Sequence, residues 1–184
     1  YLQQHELSSN LSALKLKDIM VSDFIYVKPG MTVEQVVQDY FNVYRKSEFP
    51  IIDQEGYLVG SISNKQIKTD SPDKYHEKPL TEIMSPIDDL VIMDENDRAD
   101  EALKQMYQLN KNRVYVVSSS SSIYRSKATN GLSKNDGRND RDSNTKQPFS
   151  SISLPRSDQL IKVNLEGIIS KTDLLNIARN DAKS

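Results

Sequence analysis

The chain has 184 residues, with 24 Lys plus Arg against 26 Asp plus Glu and a net charge of −2, so it lacks the basic excess that drives binding to a nucleic-acid backbone. Cysteine is absent, which excludes disulfides and thiolate metal sites, and with only two histidines a protein zinc centre is not expected. The mean hydropathy of −0.62 places part of the sequence outside a core, and no apolar run approaches the roughly 18 residues of a membrane span.

Read in chain order, an N-terminal segment, 1–14, precedes the first regular pattern. The chain starts at Tyr1 rather than Met, and the expectation is a piece of a longer protein. Lys17-Asp18-Ile19-Met20 leads into a strand over Phe24–Val27, which stops at the turn signal Lys28-Pro29-Gly30. Val33, Val36, Val37, Tyr40, Phe41 and Tyr44 then fall at helical spacing, with Thr32 and Gln35 as a capping-box pair. A second strand covers Phe49–Asp53, and a third, Leu58–Ser63, leads into a short closing helix.

The pattern then starts again. Thr81-Glu82-Ile83-Met84 repeats the opening, and Leu90–Met93 repeats the first strand. Ala99, Ala102, Leu103, Met106 and Leu109 form the next helical stripe, capped by Asn96 or Asp97. Val114–Val117 and Leu165–Ser170 supply the remaining strands, and a final helix follows. Met20 and Met84 are 64 positions apart, but Gly60 and Gly167 are 107 apart, so about 42 extra residues lie between Val117 and Leu165. They are rich in Ser, Asn, Asp and Lys, and a disordered surface loop over about 118–160 is expected. It reads either as a tolerated spacer or as a phosphorylated or partner-binding loop. The fold class is α/β in the α+β sense: two copies of strand, helix, strand, strand, helix, at 15–78 and 79–184.

Gly167-Ile168-Ile169-Ser170-Lys171-Thr172-Asp173 fits the Gly-hydrophobic-hydrophobic-Ser/Thr-x-x-Asp signature of the CBS domain, and the two-copy pattern resembles its tandem pair, the Bateman module. The segment Asp39–Asp53, with Tyr40-Phe41, Tyr44-Arg45 and Phe49-Pro50, is similar to CBS pairs at the C-terminus of site-2 proteases, which are membrane zinc metallopeptidases. The resemblance implies two repeats about a pseudo-two-fold axis, self-association as a homodimer, and a cytoplasmic module attached to an upstream membrane protease domain. It also implies a possible AMP, ADP or ATP ligand, with no cofactor required.

In the family the signature Asp binds both ribose hydroxyls of an adenosine ligand, since a carboxylate offers two acceptors to the two donors of a cis-diol. Here that residue is Asp173, with Ser170 and Thr172 at the helix N-terminus, where free N–H groups favour anions. The competing reading is that Ser170, Thr172 and Asp173 only cap the last helix. Arg113 is the candidate phosphate contact, or else a solvated strand-edge residue. From copy one, Ser47 matches a cleft-lining position, while Ile25 with Ile168 are candidates to sandwich an adenine or are simply core. Copy one's signature departs at Gln66, which stands where Asp is expected, so at most one competent site is expected.

No catalytic motif is present. His76-Glu77 and His5-Glu6 both lack the second His of His-Glu-x-x-His, and there is no phosphate-binding loop or nucleophile elbow. The sequence therefore reads as a regulatory adenine-nucleotide module. The alternatives are a ligand-free dimerisation module and the CBS tail of a transporter or nucleotide-pathway enzyme.

Overall fold

The apolar runs flanking Gly60 and Gly167 form strands in a computed structural model, which describes residues 11–68, 72–118 and 162–181. The serine-rich insertion therefore lies almost wholly outside the described residues. The chain divides into two units. One is Ser22–Leu90; the other joins the described parts of Tyr1–Val21 and Val91–Ser184.

In the Ser22–Leu90 unit, β1 (Glu48–Ile52) pairs antiparallel with β2 (Leu58–Ser63), which pairs antiparallel with β3 (Ser85–Pro86). The strand expected over Phe24–Val27 shrinks to one parallel bridge, Val27 to Ile51. Pro50 cannot donate to a ladder, and its carbonyl instead accepts from Val27 N at 2.9 Å. Asp53 Oδ1 accepts from Glu55 N and Tyr57 N, and Gly56 at φ 89° lets the chain reverse between β1 and β2.

The capping box forms as expected: Gln35 N donates to Thr32 Oγ1 and Thr32 N to Gln35 Oε1. It opens a helix that is α-helical only over Val33–Val36 and π-helical over Val37–Phe41, closed by Asn42 N donating to Val37 O at 2.9 Å. The widened turn gathers Tyr40, Phe41 and Tyr44 around fully buried Phe49, with centroids 5.6, 4.9 and 6.3 Å away. A helix-period stripe does not distinguish this turn from a regular one.

In the second unit, β4 (Ile92–Asp94) runs parallel to β5 (Arg113–Val117), which pairs antiparallel with β6 (Leu165–Ser170). The ten-residue helix Ala99–Gln108 and the closing helix Lys171–Asp181 pack on this sheet through Ala102, Met106, Leu174 and Ala178, all fully buried. The cap expected from Asn96 or Asp97 is not made. The N-cap residue is Arg98, and Asp97 Oδ2 accepts from Asp94 N within the preceding turn. The two sheets share a plan down to a register shift at matching positions, Ile51/Ile52 and Val116/Val117.

The units are not the sequence copies. Leu16, just before the first Ile-Met, is buried with Met93, Met106 and Leu174, and Val21 bridges Ile168 on the outer side of β6. Ser85, just after the second Ile-Met, pairs with Ser61 on the outer side of β2. Glycine makes room for both. A Cβ on Gly167 would lie 2.6 Å from Met20 Sδ, and one on Gly60 would collide with the Ser85 carbonyl.

Candidate functional site

Ser170 ends β6, and its hydroxyl accepts the amide of Asp173 at 3.1 Å, so Ser170 caps the closing helix. That cap leaves the Asp173 side chain exposed in the first turn, with exposed Thr172 beside it. Strand register places Arg113 directly opposite Ser170, both half-buried. Lys171 N donates to Asn112 O at 2.8 Å and fixes the start of the helix against the start of β5. Ile168 lies two residues before Ser170 and so on the same strand face; it is half-buried and exchanges two 3.0 Å hydrogen bonds with Val21.

Five of the seven expected site residues thus belong to one sheet and its adjoining helix. They combine a carboxylate, two hydroxyls, a guanidinium and a helix N-terminus. Such a set can hold a diol through Asp173 and an anion through Arg113 and the helix end. Ser47 and Ile25 belong to the Ser22–Leu90 unit. Ser47 is exposed at the start of β1, where its carbonyl accepts from Asn64 N, and Ile25 packs against the Phe49 core.

The matching position in copy one is chemically different. Gln66 Oε1 accepts from Ser63 N at 2.8 Å and from Ser63 Oγ at 3.1 Å, while Nε2 donates to Ser85 Oγ at 2.7 Å. Both ends of the amide are engaged inside the unit. Sequence reasoning identified Gln66 as a departure but missed Ser85 as its partner, because Ser85 is 19 residues away and only the β2–β3 pairing brings it close. The Arg113–Ser170 pairing was also invisible, since the insertion separates the two in sequence.

His76 is exposed and pairs with Glu34. Among the described residues, no group of three or more His, Asp or Glu is arranged to hold a metal, and no helix is long and apolar enough to cross a membrane.

Comparison with known proteins bears on this arrangement. The CBS domain family model matches residues 16–69. An uncharacterized protein, MJ1004, of Methanocaldococcus jannaschii is 30% identical over 89 residues, covering 47% of this chain and 39% of that protein. The zinc metalloprotease MJ0392 of the same organism is 30% identical over 114 residues, covering 61% of this chain and 29% of the relative. The chain thus spans well under half the length of these curated relatives. Among solved structures, the CBS domain of a bacterial CNNM/CorC family Mg2+ transporter in complex with ATP superposes with a TM-score of 0.63 at 14% identity, covering 96% of this chain and 97% of that one. The CBS domain pair of protein MJ0100, in complex with 5′-methylthioadenosine and S-adenosyl-L-methionine, gives 0.57 at 17% identity, covering 91% and 98%. The chain therefore carries a CBS domain at residues 16–69 and has the fold of a tandem CBS-domain pair.

Proposed function

We propose that the chain is a regulatory module that senses an adenine nucleotide or related adenosyl ligand through Asp173, and that it is the cytosolic part of a membrane site-2-type zinc metalloprotease. One contrast carries the ligand reading. Ser170 supplies the helix cap, so Asp173 is not needed for capping, whereas Gln66 at the matching position is held by Ser63 and Ser85. Asp173 would take the ribose hydroxyls; Ser170, Thr172 and Arg113 would face the phosphates, and Ile168 the base. Nothing in this reading rests on Ser47 or Ile25, which belong to the other unit. That the similar MJ0100 and transporter structures hold adenosyl compounds supports the ligand class.

The metalloprotease relative and the Tyr40–Pro50 segment support the parent enzyme. The parent's chain would show apolar spans and His-Glu-x-x-His upstream of Tyr1; an upstream sequence without them contradicts that part. Self-association belongs to the same proposal, supported by Tyr107 and Leu109, exposed at 58% and 56% at the end of one helix. The second reading, a ligand-free structural module, is favoured by the Gln66 lock, in which one of the two matching positions is tied to Ser63 and Ser85.

Thermal unfolding tests the ligand reading. A ligand at 100 times its Kd stabilises the folded state by about 2.7 kcal/mol, which raises Tm by several degrees. ATP, ADP, AMP or S-adenosylmethionine is expected to do so, and an unchanged Tm with all four contradicts it.

A further inference from the structure

In the Ser22–Leu90 unit, Phe24, Ile25, Tyr26, Met31, Asp39, Tyr40 and Tyr44 line an open cavity of about 340 Å³. This lies at the small end of the about 300–1,000 Å³ typical of small-molecule sites. The Tyr40 and Tyr44 rings stand 6.2 Å apart and tilted by 41°, forming a corner rather than a stack, and both are braced from behind by buried Phe49. The π-helical turn at Val37–Phe41 sets this corner, and such turns recur at functional sites. Tyr26 and Tyr44 stay 45% and 38% exposed. The Tyr40 phenol is held above its ordinary pKa, by burial first and then by Tyr44, Asp39 and Tyr26.

We propose that this cavity is a second ligand site, an aromatic cage for a small organic cation carrying a methylated ammonium group. Four aromatic side chains and one acidic side chain lining the same space suit a charged, weakly hydrated group. A phosphate would be repelled by Asp39, and a neutral apolar group would gain no attraction from it. The site uses none of the residues of the Asp173 cluster, and Ile25, which lines it, has no part in the Asp173 reading, so it stands or falls separately from that reading.

The test is an NMR titration of the 184-residue chain with choline and with its neutral carbon isostere, 3,3-dimethylbutan-1-ol. Choline is expected to shift the amides around Tyr26, Tyr40 and Tyr44 saturably and to bind about tenfold more tightly than the isostere. Tyr44→Leu, at a half-exposed position, should weaken choline about tenfold with an unchanged folded spectrum, and Asp39→Asn should also weaken it. Tyr57→Leu, a half-buried aromatic just before β2 and outside the cavity, should leave it unaltered. Equal affinity for the isostere, no shifts at these amides, or shifts that follow protein concentration rather than choline, as a covering second copy would give, overturns the proposal.

Discussion

Gln66 Nε2 donates to Ser85 Oγ at 2.7 Å, which joins the start of one sequence copy to the signature position of the other. At the corresponding place in copy two, the Asp173 amide donates to Ser170 Oγ and its side chain is exposed. Gln66→Ala strands the hydroxyls of Ser63 and Ser85 and should lower stability by about 1–2 kcal/mol. It should leave ligand affinity unaltered. Asp173→Ala should do the reverse, with a stability change within about 0.5 kcal/mol, as for exposed surface positions, but lost ligand affinity. Chemical denaturation paired with ligand titration separates the two.

Gly60 and Gly167 rank by what faces them. Gly167→Ala meets the Met20 side chain, which can shift in part, and should cost about 1–3 kcal/mol. Gly60→Ala meets the Ser85 carbonyl, a backbone atom that cannot move without breaking the β2–β3 pairing, and should cost more. Equal urea midpoints for the two variants would contradict the close approach at Gly60.

Helix starts give a smaller, graded effect. Thr32→Ala removes one half of a capping box and Ser170→Ala removes the cap before Asp173. Each should lower stability by about 1 kcal/mol.

Phe49 is the hub of the aromatic cluster and is fully buried. Phe49→Ala should cost about 3–5 kcal/mol and release Tyr40 and Tyr44 from their fixed geometry, read as loss of near-ultraviolet dichroism and a lower Tm.

The strands and helix stripes were legible in the sequence because each obeys a short period, and the two copies reinforce one another at Met20 and Met84, Gly60 and Gly167. The capping box at Thr32 was legible because its partners are three residues apart. What escaped is non-local or subtle. The exchange of the Ile-Met segments between copies depends on which glycine edge each one covers. The π turn keeps the same apolar stripe as an α-helix, and the Asn96/Asp97 cap was lost to a local turn at Asp94. At the candidate site, residue types were readable from the Gly167–Asp173 run, but the facing of Arg113 and Ser170 follows only from the β5–β6 register.

The central claim, that Asp173 is a ligand group and not a helix cap, is tested most directly by isothermal titration of adenine nucleotides and S-adenosylmethionine into the native chain and Asp173→Ala. The expected result is one binding site for at least one of these ligands, weakened at least about tenfold by the substitution at unchanged Tm. No heat with any of them, or equal affinity in both proteins, would contradict it.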